Sequence, residues 1–180
     1  MTALFARVLG DAAFSTLPLR VQALHRAQGK RVYLGEAQVQ SGSGFLARLC
    51  AWATALPRAG STVPVRVEIT SGENSERWAR EFGAQRMPSR FWSQDGLLCE
   101  RIGLVTFGFA LQADSGELIW HVRRVRALGI PLPAGWFRGV TARESEASGR
   151  YCFDVAARLP LAGLLVHYRG WLTVDTVQAA

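Results

Sequence analysis

Long apolar runs are missing from this sequence. Among its 180 residues, no stretch approaches the roughly 20 consecutive apolar residues that a membrane helix requires. The N-terminal stretch MTALFARVLGDAAF also lacks the basic head, continuous apolar segment and small-residue cleavage site of a signal peptide. These absences predict a cytoplasmic protein without a membrane span.

Cysteine and histidine are scarce, which limits the metal and redox chemistry that the chain can carry. The three cysteines, Cys50, Cys99 and Cys152, show neither CxxC spacing nor a nearby pair of histidines. We therefore expect buried, reduced thiols, no metal site and no cofactor. The sequence also has no GxSxG motif and no recognisable order of nucleophile and base, so it offers no support for nucleophilic catalysis.

Lysine is nearly absent, although the chain is basic. Lys30 is the only lysine among 21 basic residues, and the formal net charge is +7. The densest cluster, Arg123, Arg124 and Arg126 in HVRRVRAL, alternates with apolar residues as a strand does. No zinc-finger, helix-turn-helix or KH-type signature accompanies it. The pattern favours a solvent-exposed strand face, and we predict no nucleic-acid partner.

The first third of the chain has two stretches with helical spacing of apolar residues. In residues 3–28 this spacing is interrupted at Gly10, so two short helices are predicted there. Residues 45–56 (FLARLCAWATAL) form a broad apolar stripe that predicts a core helix ending before Pro57. The SGSG turn at 41–44 lacks the GxxxxGK[ST] and GxGxxG patterns, so no nucleotide site is expected.

From residue 61 onward the chain is strand-like. Apolar and polar residues alternate in stretches such as STVPVRVEIT, and short turn signals such as QDG, DSG and ASG separate them. Short turns force antiparallel neighbours, and about seven to nine strands are predicted. The expected fold is α+β and β-rich: a strongly curved antiparallel sheet, either a meander or an incomplete barrel, packed on N-terminal helices. A single domain, 1–180, is predicted, with a helical part at about 3–60 and the sheet at about 61–174.

One long interruption breaks the strand pattern of the second half, RALGIPLPAGWFRGV at 126–140. Pro131 and Pro133 cannot donate backbone hydrogen bonds, so a strand ladder cannot continue through them. A corner of the chain explains the prolines and glycines. It does not explain Trp136 beside Arg138, and these two residues suggest the rim of a pocket.

Curved sheets often enclose apolar molecules, which aromatic residues contact and a few polar groups orient. The predicted ligand-binding residues are Trp136, Arg138, His121, Arg123, His167 and Arg169. A second polar group is predicted on a strand, where Glu76, Trp78 and Arg80 share one face. These charges are either part of a salt-bridge ladder across neighbouring strands or the polar floor of a ligand site.

Stretches over nearly the whole chain carry a family resemblance. They are LHRAQG (24–29), LPRAGSTVPV (56–65), ERWAREFG (76–83), SRFWSQDGLLCERIG (89–103), LGIPLP (128–133), FDV (153–155) and LPLAGLLVHYRGWL (159–172). Together they resemble a bacterial family known only as a domain of unknown function. Members of that family often follow a saccharopine-dehydrogenase-like or short-chain-dehydrogenase-like NAD(P)-binding domain. The resemblance therefore implies an NAD(P)-dependent reductase as partner.

Three functions stay open at this point. The first is noncatalytic binding of a small lipophilic ligand, or service as an accessory domain to a reductase. The second is an enzyme acting on a lipid-like or cyclic substrate, with His121 or His167 as acid/base and an arginine as anion clamp. The third is a structural or oligomerisation domain that uses an exposed strand edge. The oligomeric state is not predicted.

Overall fold

The computed structural model describes residues 3–45, 56–57 and 59–175. Three short helices come first: α1 (Leu4–Leu9), α2 (Asp11–Ser15) and α3 (Leu19–Arg26). There are three rather than two because Gly10, with a φ of 90°, separates the first pair and Pro18 caps the third. Nearly all of the helix predicted at 45–56 lies outside the described residues. No helix in the described ranges is long and apolar enough to cross a membrane.

The rest of the described chain is almost entirely strand. It also contains one 3₁₀ helix, Ala134–Phe137. The strands are β1 (Lys30–Ser41), β2 (Gly60–Ser71), β3 (Ser75–Phe82), β4 (Gln85–Gln94), β5 (Leu97–Ile102), β6 (Val105–Asp114), β7 (Glu117–Ala127), β8 (Ile130–Leu132), β9 (Gly139–Ala147), β10 (Arg150–Leu159) and β11 (Gly163–Thr173).

Ten of the described strands form a closed antiparallel barrel. Each strand from β1 to β7 pairs with the next, β9 to β11 continue the meander, and β11 returns to β1. The ring closes at β7, which pairs with β6 along one edge and, through Leu118–His121, with β9 along the other. Short β8 pairs with the remaining part of β7, outside the ring. The β-rich, antiparallel prediction is confirmed, but an incomplete barrel is corrected to a closed one, because both edges of the sheet find partners.

The two ends of the barrel differ. Helices α1 to α3 cover the end where β1 begins, and Phe5 is fully buried there against the rings of His25, Trp78 and Trp120. We call this the helical end. The connections β1–β2, β3–β4, β5–β6, β7–β9 and β10–β11 lie at the opposite end, because successive strands of a meander alternate in direction. We call this the open end.

The pair β1–β11 approaches unusually closely at two glycines. A Cβ atom on Gly170 would lie 2.1 Å from the carbonyl oxygen of Glu36 and 2.8 Å from Cζ of Phe153. A Cβ on Gly35 would lie 1.8 Å from the carbonyl oxygen of Trp171. Only glycine fits at these positions, so the two residues allow the close approach of β1 and β11.

Candidate functional site

A cavity of about 420 Å³ lies inside the barrel, between the helices and the open end. This volume falls in the range of small-molecule sites, roughly 300–1,000 Å³. Its walls are mainly aliphatic and aromatic side chains that the period-two alternation of the strands turns inward. They include Phe82, Met87, Ile102, Val105, Phe107, Phe109, Trp120, Leu132, Phe137, Val140, Phe153, Ala157 and Leu165.

Trp136 marks the mouth of the cavity. Its side chain lines the cavity and is nevertheless 57% exposed. The 3₁₀ helix that carries it begins after Pro133 and is anchored by Phe137, which is buried with its ring 6.0 Å from the ring of Phe107. The interruption at 126–140 therefore turns a corner and also places an aromatic residue at the opening.

The cavity contains one buried ion pair. Nη1 of Arg80 on β3 donates to Oε1 of Glu100 on β5 at 3.0 Å and to Oγ of Ser89 on β4 at 2.9 Å. The side chains of Arg80 and Glu100 are 11% and 6% exposed. The guanidinium also lies over the rings of Trp78 and Phe91, at 4.9 and 5.5 Å. The charges thus form a bridge across three strands and line the cavity at the same time.

The electrostatics of the cavity favour the charged form of Arg80. Burial alone would lower the pKa of Arg80, but the nearby carboxylate of Glu100 raises it and the net shift is upward. Tyr168 also lines the cavity, and burial raises the pKa of its hydroxyl to about 12. Tyr168 is therefore a neutral hydrogen-bond donor at physiological pH.

A second polar group joins the helices to the wall of the cavity. Nε2 of His25 lies 2.5 Å from Oε2 of Glu144, and the hydroxyl of Tyr151 donates to the same carboxylate. Burial, followed by the charge of Glu144, raises the pKa of Tyr151 well above its usual value. Glu144 and Tyr151 line the cavity, whereas His25 lies behind them, stacked on Phe5 at 3.7 Å. The chain of hydrogen bonds fixes the helices to β9 and β10.

Two buried nitrogens have no hydrogen-bond partner in the described part of the chain: Nδ1 of His25 and Nε1 of Trp120. A buried, unpaired donor costs free energy, so such groups are uncommon in folded proteins. Trp120 lines the cavity, and its indole N–H is a donor that a ligand could satisfy.

The six predicted ligand-binding residues do not come together at this cavity. Trp136 lines it, and exposed Arg138 follows at the end of the 3₁₀ helix. His121 and Arg123 are exposed on β7. On β11, His167 bonds to Asp154 at 2.9 Å and Arg169 bonds to Gln38, both on the outer face. The roles of these residues stay predictions.

The polar residues inside the cavity were only partly anticipated. The sequence predicts that Arg80 shares a strand face with Trp78 but gives it no partner, and it assigns no role to Glu144. The available signal was the alternation itself: Tyr151 occupies the same face as the apolar residues that follow it in RYCFDVAARL. A charged residue at an inward position of a strand points to such a site.

The described residues include two free cysteines and no cluster of metal ligands. No three His, Cys, Asp or Glu side chains there cluster closely enough to hold a metal ion. Cys99 is a buried free thiol whose pKa burial raises, and Cys152 is a half-buried free thiol. Cys50 lies outside the described residues.

Comparisons with known proteins identify a family. The crystal structure of Rv2717c from M. tuberculosis is similar over 88% of this chain and 99% of that chain, with 9% sequence identity and a TM-score of 0.43. No curated protein matches the sequence. The family described as "Domain of unknown function (DUF4166)" matches residues 17–172. This match confirms the predicted resemblance to a family of domains of unknown function. The neighbouring dehydrogenase-like domain stays a prediction. The chain therefore belongs to the DUF4166 family of domains of unknown function.

Proposed function

We propose that this domain binds a small lipophilic molecule inside the barrel. The cavity of about 420 Å³, with apolar walls and a few buried polar groups, is the observation that carries the proposal. Sites of this kind take up ligands through apolar contact and use their polar groups to orient them. Trp136 at the mouth agrees with the binding role predicted for it from the sequence.

The polar groups of the cavity favour a ligand that carries a neutral acceptor. Arg80 and Glu100 neutralise each other, so neither is available to hold a fully charged ligand without breaking the pair. Trp120 is a donor for which the described part of the chain provides no acceptor, and the neutral hydroxyl of Tyr168 also lines the cavity. A carbonyl, ether or hydroxyl oxygen on an otherwise apolar molecule would complement these two donors.

Binding is favoured over catalysis by the position of the histidines. His25 reaches the cavity wall through Glu144, to which its Nε2 is already bonded, and its ring is buried against Phe5. The acid/base roles predicted for His121 and His167 stay predictions, and so does service as an accessory domain to an NAD(P)-dependent reductase.

The neutral dye N-phenyl-1-naphthylamine, which fluoresces in apolar surroundings, tests the proposal. We expect saturable fluorescence enhancement with the unaltered protein. Ala157→Trp places a large ring in the cavity, and it should weaken dye binding by about tenfold or more. The matched control is Ala156→Trp, since Ala156 is the preceding residue of β10 and faces outward.

Circular dichroism establishes that both variants keep the barrel. Dye binding that is absent from the unaltered protein, or equally strong in the folded Ala157→Trp variant, would contradict an interior lipophilic site. Equal weakening by both tryptophans would place the dye on the outer surface instead.

A further inference from the structure

Four hairpin turns have the same backbone form, but the residue before their glycine is polar at the helical end and apolar at the open end. In each turn a residue with positive φ precedes a glycine with positive φ. The three at the helical end are Asp95-Gly96, Ser115-Gly116 and Ser148-Gly149, and the one at the open end is Leu128-Gly129. Left-handed backbone suits Asn, Asp and Gly, and it is unfavourable for a bulky apolar residue. Leu128 adopts it with a φ of 52° while its side chain is 73% exposed, so packing does not explain the leucine.

Leu128 is one of several apolar side chains exposed at this end. Among the nine large apolar side chains that are exposed in the described residues, six belong to the open-end connections β1–β2, β5–β6, β7–β9 and β10–β11. Five of them lie on the turns and on the β8–3₁₀ segment around the cavity mouth, and we call these five the apolar rim: Leu104, Leu128, Ile130, Trp136 and Leu161. Leu161, at the tip of the β10–β11 turn, is 91% exposed.

The unpaired charges of the described residues around the open end are all positive. No aspartate or glutamate occurs in the connections at this end, which are 42–59, 83–84, 103–104, 128–138 and 160–162. Glu81, near the end of β3, is already paired with Arg66 and Arg86. Four exposed arginines lie within or just behind the rim and have no ion pair in the part of the chain that the structure describes: Arg101, Arg126, Arg138 and Arg158.

From the apolar rim and the unpaired arginines we infer that the open end docks on the surface of an anionic lipid bilayer. The rim side chains enter the headgroup region, and the arginines pair with anionic headgroups beside them. The inference rests on the proposed function in one respect: the docked end is the end through which a lipophilic ligand would enter the cavity.

The shape of the rim favours a bilayer over a protein partner. Its residues come from three connections, β5–β6, β7–β9 and β10–β11, that surround an opening. Apolar turn residues backed by cations suit a fluid interface, which adapts to an uneven rim. Trp136 is an amphipathic ring of the type that concentrates at membrane interfaces.

Co-sedimentation with phosphatidylcholine vesicles, with and without phosphatidylglycerol, tests the inference. We expect the unaltered protein to bind the anionic vesicles, with affinity that falls as salt is added. Leu128→Asn combined with Leu161→Asn should lower the partition coefficient by about tenfold or more, since two exposed leucines leave the membrane. Asparagine accepts the left-handed backbone at position 128, so thermal stability should stay equal or rise.

The matched control is Leu19→Gln, which removes a leucine that is 69% exposed at the helical end and should leave vesicle binding unchanged. Equal binding by the rim double variant and the control would overturn the inference, and so would failure of the unaltered protein to sediment with anionic vesicles. A rim variant that instead loses a concentration-dependent dimer would show an interface between two copies. Dye binding is measured without vesicles, so loss of that signal alone contradicts the proposed function and leaves membrane docking standing.

Discussion

Replacing Arg80 by methionine removes the cation from the buried pair inside the barrel. Methionine keeps the aliphatic part of the side chain but loses the guanidinium that lies over Trp78 and Phe91. What changes is Glu100, whose side chain is 6% exposed and whose carboxylate then has no cation beside it. Ser89 also loses the guanidinium that donates to its hydroxyl oxygen.

The expected loss is large because both partners are buried. Removing one partner of a buried pair costs about 3–5 kcal/mol of unfolding free energy, whereas an exposed pair contributes about 0–1 kcal/mol. The double variant Arg80→Met/Glu100→Met removes both charges and leaves apolar side chains in an apolar cavity. We expect its unfolding free energy to lie within about 2 kcal/mol of the unaltered protein, which makes the double variant more stable than Arg80→Met alone.

Urea unfolding at neutral pH measures these differences. The control is Arg86→Met, because Arg86 pairs with Glu81 at 2.9 Å on the exposed surface of the barrel. Its replacement should cost less than about 1 kcal/mol. The reasoning is refuted if Arg80→Met costs no more than Arg86→Met, or if the double variant loses the full sum of the two single losses.

Two further predictions concern Glu76 and the closing strands of the barrel. Burial raises the pKa of Glu76 above 4.5, with a hydrogen bond from Trp78 opposing it, so the folded state holds the proton more tightly than the unfolded state. Protonated Glu76 contributes fully to stability below the pKa it has in the unfolded state, and this contribution is lost as pH rises through its pKa in the folded state. Urea unfolding from pH 4 to 8 should therefore show the unaltered protein losing stability relative to Glu76→Gln. The opposite trend would contradict the burial of Glu76. Gly170→Ala should lower the unfolding free energy by about 1–3 kcal/mol or more in the same assay, because the new Cβ meets backbone atoms. Gly135→Ala should lower it far less, because the space around that Cβ is open. Equal losses would contradict the close approach of β1 and β11.

Local patterns in the sequence predicted the strands well and could not predict closure of the sheet. Alternation and turn signals are local, and each X-Gly turn specifies that its two strands are antiparallel neighbours. Closure depends on pairs far apart in the chain, such as Gln38 with Arg169 in β1 and β11. Nothing near either residue in sequence specifies the other. The meander was therefore predictable, whereas the choice between an open and a closed barrel was not.

The candidate site was predictable to the same degree. Strand alternation placed Trp78 and Arg80 on the inner face, and that assignment needs only a period of two. The partner of Arg80 is Glu100, two strands away, and finding it requires the registers of β3 with β4 and of β4 with β5. His25 on α3 meets Glu144 on β9 only after the helices have packed into the barrel end. The sequence thus predicted inward charges but not their partners.

The order of polarity along the cavity determines how the proposed ligand would lie. Arg80 packs over Trp78 and Phe91, and the rings of Trp78, Phe91 and Trp120 all contact Phe5 of the helical end. The ion pair and the Trp120 donor therefore lie toward the helices, whereas Tyr168 packs against Phe82 nearer the open end. The open end, by contrast, has apolar side chains both inside and outside the barrel. A molecule with one acceptor oxygen binds most favourably when that oxygen points toward the donors. Its apolar part then stays in contact with apolar side chains. Its apolar tail would remain nearest Trp136, and a tail longer than the cavity would extend through the rim into the bilayer on which we propose that the rim docks.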